Sequence, residues 1–437
     1  MKIEINENKK WHQSVTIKLI LLGILGVFLL IPLEMIKSII RERQKNSDEV
    51  KKEIGFLWSA QQNISGPVLN IPEQVSPVGK EGIPNREILH IMPESLNITG
   101  KINTETRHRG IYKAAVYTAD LEFSGYFSIR MPVSAERREI LWDEAYFSSG
   151  ISDNRGIKGV VSLMVDSSEI AAVPGLRDND IFKSGITFPF SVNSTEKRIP
   201  FSMNINLSGS ESLTFSPVGK TTAINLSSTW KNPGFTGNFL PAENTVNNSG
   251  FTAKWLITNL NRNFPQEWTG NEYKPEEDSF GVNFILTVDH YQKSLRSAKY
   301  GILFIALTFL ALLFAELTGK SRIHIFHYLL VSLALILFFS LLNALSEHTG
   351  FNAAYLISSA ATISLISLFL GALIKTRKAV IFVLLMLVIL YSFIFILLSL
   401  NDWAYLAGNI GLFILLAVTM RLSLKLDLFD NAQSESD

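Results

Sequence analysis

The sequence predicts an α+β membrane protein. Six transmembrane helices are expected, with a large antiparallel β-rich extracytoplasmic domain, a sandwich or a roll, inserted between helices one and two. Three observations lead there. Apolar runs long enough to cross a bilayer occur once near the N-terminus and repeatedly after Tyr300. Lys and Arg gather in alternate loops of the second group. Between the two groups, apolar and polar residues alternate with the period of two that marks half-buried strands.

Residues 1–14 are polar, carry Lys2, Lys9 and Lys10, and read as a cytoplasmic tail. Residues 15–35 form the first transmembrane helix, with Lys18 snorkelling to the cytoplasmic interface. The flank Pro32-Leu33-Glu34-Met35 lacks the small residues of a cleavage site, so the run reads as an uncleaved anchor. From 36 to 63 there is no Pro, and Ile36, Ile40, Val50, Ile54 and Leu57 recur at helical spacing, which predicts a helical stalk. Residues 64–299 form the β-rich domain. Tyr117, Ala119, Leu121 and Phe123 alternate with polar neighbours, as do Phe201, Met203, Ile205 and Leu207, and again Val282, Phe284, Leu286 and Val288. Turn clusters such as Ser65-Gly66-Pro67 and Asp153-Asn154-Arg155-Gly156 separate the strands.

Residues 300–420 hold five apolar segments, at 300–317, 326–345, 353–374, 379–400 and 403–420, followed by a second cytoplasmic tail at 421–437. Lys320 and Arg322, then Lys375, Arg377 and Lys378, then Arg421 and Lys425 occupy one set of loops, while 346–352 and 400–402 carry no Lys or Arg. That asymmetry places both termini in the cytoplasm and the β domain outside. Lys37, Arg41, Arg43 and Lys45 fall on the outer side against the rule, interleaved with Glu34, Glu42, Asp48 and Glu49. The rule is weak for long translocated domains, so the later segments decide.

The net charge of +1 gives no argument for nucleic acid, and membrane lipids are the expected partners, with an envelope protein as a further one. There is no cysteine, which excludes disulfides, thiolate metal sites and cysteine nucleophiles. No H-E-x-x-H, G-x-S-x-G, P-loop or G-x-G-x-x-G pattern occurs, so no catalytic residue, cofactor or metal site is expected. His324 and His327 share a helix face but lack further ligands. Glu316, inside the second span, is a candidate intramembrane carboxylate, or a partner of Lys320 one turn on. Asn343, Glu347 and His348 form a candidate proton-sensitive or domain-contact cluster at the outer end of the third span. The plainer reading is a helix cap, with Gly350 as the stop.

Several short motifs recur in a specific order: Ser65-Gly66-Pro67 with Ile71-Pro72, Met92-Pro93-Glu94-Ser95-Leu96, Arg109-Gly110-Ile111-Tyr112, Asp153-Asn154-Arg155-Gly156-Ile157, Leu207-Ser208-Gly209, Phe239-Leu240-Pro241 and Ser249-Gly250-Phe251. The run from Tyr328-Leu329-Leu330-Val331 to Ser346-Glu347-His348-Thr349-Gly350-Phe351 completes the set. In these the chain resembles the CreD inner-membrane protein family of bacteria over about residues 14–420. The resemblance implies a place in the bacterial inner membrane, a link to envelope integrity and stress, and membership of a regulon run by a two-component system. It also implies altered tolerance of envelope-active toxins and β-lactams. It supplies no catalytic residue and no ligand.

The expectation is therefore a non-enzymatic envelope protein. A transporter or lipid-handling channel built from helices two to six is one rival, and would need a polar cavity among those spans. A membrane-anchored enzyme is the other, and would need a cleft with convergent ionisable groups in the β domain.

Overall fold

The computed structural model describes residues 15–76, 85–129, 138–192, 198–286, 290–319, 323–374, 376–400 and 403–423. The chain divides into two compact units, one made of residues 1–46 and 288–437, the other of residues 47–287.

The first unit is helical. Helix α1 (Val15–Phe28) passes into α2 (Leu30–Trp58) through a break at Leu29 alone, and α2 carries on into the second unit. The remaining helices are α3 (His290–Lys299), α4 (Gly301–Gly319), α5 (Ile325–Thr349), α6 (Phe351–Leu373), α7 (Arg377–Ser399) and α8 (Ala404–Ser423). Gly301 sits where α4 meets Leu33: a Cβ there would lie 2.6 Å from a Leu33 methyl. Phe304, Phe338, Tyr355 and Tyr391 pack edge to face in the interior, as aromatic quadrupoles favour. Leu337, Leu368 and Leu385 stand outward, 62%, 75% and 58% exposed, as lipid-facing residues do.

The expected count of six spans is corrected. Among the described residues four helices are long and apolar enough to cross a membrane: α1 joined to α2, then α5, α6 and α7. A fifth arises if α3 and α4, bent by 44°, count as one. The expected span at 300–317 coincides with α4 (Gly301–Gly319), whose side chains beyond Glu316 lie outside the described residues. Several side chains of α8 lie outside the described residues, and α8 is not among the four. So do Lys320, Arg322, Lys375 and Lys425, on which much of the charge argument rests. A second correction concerns α3. Its sequence falls inside the range expected for the β domain, but it groups with the helices because Tyr291, Ser294 and Ala298 recur at helical spacing and are buried.

The second unit holds two sheets. One contains β1 (Gln62–Val75), β2 (Asn85–Ile91), β5 (Arg138–Ile140), β6 (Tyr146–Ile151), β10 (Val173–Pro174), β11 (Gly185–Pro189), β13 (Ser212–Phe215), β15 (Pro233–Gly237), β18 (Glu267–Thr269) and β19 (Phe280–Phe284). The other contains β3 (Ser95–Arg109), β4 (Tyr112–Ser128), β7 (Ile157–Lys158), β8 (Ser162–Val165), β9 (Ser168–Ala171), β12 (Arg198–Ser210), β14 (Thr221–Ser228), β16 (Glu243–Asn247) and β17 (Gly250–Thr258). Both sheets feed one apolar core. Phe127 of β4 meets Phe147 of β6 at 5.3 Å between ring centroids, and Tyr117 of β4 meets Phe284 of β19 at 4.9 Å. The predicted alternation falls on the long pairing of β12 with β4, where Phe201, Met203, Ile205 and Leu207 turn inward.

The all-antiparallel expectation fails at two places. β1 runs parallel to β13, and β14 runs parallel to β3 from Thr221↔Ser95 to Ser228↔Ile102. Alternation reports which face of a strand is buried and carries nothing about the direction of its neighbour. The expected stalk is also shorter. The helix ends at Trp58 and β1 begins at Gln62, so residues 59–63 are not helical.

Candidate functional site

In the β unit, the end of α2 is locked into the sheets by residues from distant segments. Asp153 stands at the head of a short 3-10 turn, and its Oδ2 accepts from Ser59 Oγ (3.2 Å) and from the Ala60 amide (2.9 Å). The Arg155 guanidinium grips the same carboxylate in a fork, Nε to Oδ1 at 2.8 Å and Nη2 to Oδ2 at 2.7 Å. Arg155 Nη1 also donates to the Phe56 carbonyl (3.1 Å), and the guanidinium lies 4.2 Å from the Phe56 ring centroid. The Arg155 fork, helped by the Ala60 and Arg155 amides, holds the Asp153 carboxyl well below the usual carboxylate range against the effect of burial.

Gln62 closes the network from inside. Its Nε2 lies 2.8 Å from Ser59 Oγ, 2.9 Å from the Asp153 carbonyl and 3.1 Å from the Ser208 carbonyl, while its Oε1 accepts the Asp153 amide. An amide nitrogen has two hydrogens, so one of the three contacts is shared. Gly156 has to be small here: a Cβ would come within 2.3 Å of the Ser208 carbonyl oxygen. Trp58 adds an indole N–H to the Tyr117 carbonyl (3.3 Å), with Ile54 packed on Ala114 and Val116. Beside this junction opens a cleft of about 650 Å³ whose lining includes Lys51, Gln61 and Glu211.

In the helical unit, Glu316 of α4 is paired with Lys18 of α1, and Tyr328 Oη of α5 donates to the same carboxylate (3.1 Å). Lys18 also donates to the Ile323 carbonyl (2.7 Å) and lies over the Tyr328 ring. The carboxylate is thus neutralised across helices. The alternative partner, Lys320, lies outside the described residues.

Asn343, Glu347 and His348 are not brought together. Asn343 is buried, and its Oδ1 has no hydrogen-bond partner among the described residues. Glu347 Oε1 accepts from Tyr291 Oη of α3 at 3.2 Å, and His348 is exposed. Adjacent helical residues diverge by about 100°, which separates the carboxylate from the imidazole. Gly350 ends α5 at φ 79°, a conformation suited to glycine, with its amide on the Ser346 carbonyl (3.2 Å). His324 caps α5 by accepting the Phe326 amide on Nδ1 (3.2 Å), and His327 packs on Phe369.

Sequence reasoning missed Lys18 as the partner of Glu316 and Gln62 as the hub of the junction. No local spacing links residues 298 or 91 positions apart. A signal for the junction was present: Asp153-Asn154-Arg155-Gly156 and Leu207-Ser208-Gly209 both carried the resemblance, and both meet there. A third missed group, His90, Asp178 and Asp180 of the β unit, is close enough to share a cation.

An apolar helical unit of membrane-crossing dimensions, continuous through α2 with a large β-rich unit, defines a membrane protein with an attached β domain. The chain belongs to the CreD family: residues 14–429 match the family described as Inner membrane protein CreD. It is 32% identical over 412 residues to Inner membrane protein CreD of Escherichia coli (strain K12), covering 92% of this chain and 91% of that protein. Among solved structures, a mutant M1 zinc metallopeptidase of Deinococcus radiodurans bound to a Tyr-Ser-Ala substrate matches 45% of this chain and 42% of its own, at 8% identity and a TM-score of 0.23. The same mutant without that substrate matches 38% of each chain at 8% identity and a TM-score of 0.21. Likenesses this weak carry no argument about fold or activity.

Proposed function

We propose that this protein is a non-enzymatic component of the bacterial envelope that contributes to envelope integrity and to the response to envelope stress. In this reading the helical unit is a multi-pass base in the inner membrane, with α8 as a further crossing and both termini cytoplasmic. The β unit stands in the periplasm. One observation carries the proposal. Two of the motifs that carry the resemblance, Asp153-Asn154-Arg155-Gly156 and Leu207-Ser208-Gly209, meet at the Asp153–Arg155–Gln62 network, and that network ties helix α2 to the sheets. Their role there is mechanical: Asp153 bonds Ser59 and the Ala60 amide, Arg155 bonds the Phe56 carbonyl, and Gln62 bonds the Asp153 and Ser208 carbonyls. In the neighbouring cleft, the Glu211 carboxylate is held by Gln61 Nε2 (2.8 Å), a further tie between the segment after α2 and the sheets.

The transporter reading finds less support. The groove between α6 and α7, about 570 Å³, is lined by hydroxyl and apolar side chains and by no carboxylate or basic group.

The test is complementation of a deletion strain challenged with envelope-active toxins and β-lactams. Wild type should restore tolerance, and Asp153→Ala with Arg155→Ala should not, at equal membrane levels. Full rescue by the double variant would remove the proposal. Topology is checked separately. Single cysteines at Asn103 and Asn352 should react with an impermeant maleimide in intact cells, and one at Arg377 should not.

A further inference from the structure

His90, at the end of β2, is fully buried, and its environment fixes the tautomer of its ring. Asn70 Nδ2 donates to Ser148 Oγ (2.8 Å) and to the Val68 carbonyl (3.3 Å), so the Asn70 amide oxygen is the atom 2.7 Å from His90 Nδ1. Nδ1 must therefore carry the hydrogen. In a neutral ring, Nε2 then presents a lone pair. That nitrogen has no hydrogen-bond partner among the described residues. What it faces is oxygen: Asp180 Oδ2 lies 3.6 Å away, the Asp178 carboxylate is beside it, and the Gly270 carbonyl also acts on the ring. A lone pair directed at two carboxylates in a buried place is repulsive unless a positive charge lies between them. A proton on Nε2 or a cation held by all three side chains would supply that charge.

We propose that His90, Asp178 and Asp180 bind a divalent first-row cation, with Zn²⁺ the best match and Mn²⁺ the alternative. One imidazole nitrogen and two carboxylates make a mixed nitrogen–oxygen set of the kind these ions accept. The spacing agrees. Two ligands about 2.0–2.1 Å from a tetrahedral ion stand roughly 3.4 Å from each other, and His90 Nε2 and Asp180 Oδ2 are 3.6 Å apart. One ligand atom from each of the three residues lies within 4.8 Å of the others, which small side-chain rotations close. The supporting groups are in place as well. Asn70 orients the His90 ring, Tyr146 Oη donates to Asp178 Oδ2, and the Asp180 amide donates to Asp178 Oδ1 (2.9 Å). Lys274 Nζ holds the Asp180 carbonyl, which anchors the loop that carries both aspartates. Ligands held in this way are oriented before the ion arrives. The ion would staple β2 to the loop between β10 and β11, a cross-link that a chain without cysteine cannot make by disulfide.

The experiment uses the full-length, tag-free protein in detergent micelles, stripped with EDTA and dialysed free of chelator. ZnCl₂ and MnCl₂ are titrated in competition with a chromophoric chelator, and bound metal is counted by mass spectrometry. Wild type should take up one equivalent per chain, and its melting temperature should rise with metal. Asp180→Asn, nearly isosteric and partly exposed, should weaken uptake at least about tenfold and abolish the rise. Asn70→Ala should weaken uptake by about 10–100-fold without removing a ligand. His324→Ala should bind as wild type does. Circular dichroism of each variant separates lost folding from lost binding. Absence of stoichiometric uptake of either ion, or uptake unchanged in Asp180→Asn, would overturn the site and leave a protonated His90 as the charge between the carboxylates.

Discussion

The two units bury opposite things. In the β unit, Phe127, Phe147 and Phe201 are turned into a common core, and the strand faces away from it carry Ser, Asn and Thr. In the helical unit, large apolar residues such as Leu337 and Leu368 face outward, while Ser332, Asn343, Ser358 and Thr362 are buried. The difference teaches what each unit treats as solvent. A strand surrounded by water hides its apolar face. A helix surrounded by lipid gains nothing from hiding leucine, and a hydroxyl side chain there can bond to the backbone of its own helix. Ser332 Oγ donates to the Tyr328 carbonyl (2.6 Å) and Thr362 Oγ1 to the Ser358 carbonyl (2.9 Å), which is that behaviour.

The largest expected effect tests this contrast directly. Phe127 is fully buried, with ring centroids of Phe147 and Phe201 at 5.3 and 5.2 Å. Phe127→Ala should cost about 3–5 kcal/mol in denaturant unfolding of the full-length protein followed by tryptophan fluorescence. Leu368→Ala, at a side chain 75% exposed on α6, should change stability by less than about 0.5 kcal/mol. Similar costs for the two would break the comparison.

Next comes the ion pair that joins α1 to α4. Lys18 and Glu316 retain only 22% and 15% of their side-chain exposure. Removing one partner leaves the other charge poorly compensated, and with some access to solvent the loss should be about 2–3 kcal/mol, less than breaking a fully buried pair costs. Glu316→Gln keeps an acceptor for Tyr328 and should lose less than Glu316→Ala. Thermal unfolding in detergent would show it, and equal losses would mean that the Tyr328 contact contributes nothing.

In the β unit the comparable polar anchor is Asp153. Asp153→Ala should cost about 1.5–2 kcal/mol through lost charge-assisted hydrogen bonds. It should also remove a pH dependence. The folded carboxyl titrates below its unfolded value, so its stabilisation is complete above the ordinary aspartate range and is lost as the pH falls through that range toward the folded value. Wild type should therefore lose stability on acidification faster than Asp153→Asn does. Parallel pH curves for the two proteins would contradict this.

The periodicities made the two units legible, because each has one dominant solvent that writes a period of two or a continuous apolar run into the sequence. Phe201 to Leu207 point inward as their alternation requires. The parallel pairings of β1 with β13 and β3 with β14 were not legible, since strand direction leaves no mark on alternation. Glu316 was legible as an unusual carboxylate, but Lys18 was not legible as its partner, because a contact across 298 positions has no local spacing. The junction was half legible: its motifs stood out, and their meeting at Gln62 did not. The only local sign of the His90 group was the pair Asp178 and Asp180 in one loop, since His90 lies far away in sequence.

The smallest expected effect concerns the end of α5, where sequence reading joined Glu347 to His348 and the structure joins Glu347 to Tyr291. The hydrogen bond from Tyr291 Oη is 3.2 Å long, and the carboxylate is half-buried, so water competes for it. Tyr291→Phe removes the donor with little change of shape and should cost about 0.5–1 kcal/mol. If the two side chains act as a pair, Tyr291→Phe in the Glu347→Ala background should cost almost nothing, giving a coupling of about 0.5–1 kcal/mol. His348 is exposed and diverges from its neighbour on the helix, so His348→Ala should show no coupling to Glu347→Ala. A double-mutant cycle on thermal stability separates the two pairings. Coupling of Glu347 to His348 and not to Tyr291 would restore the adjacent pair as the working unit at this end of the helix.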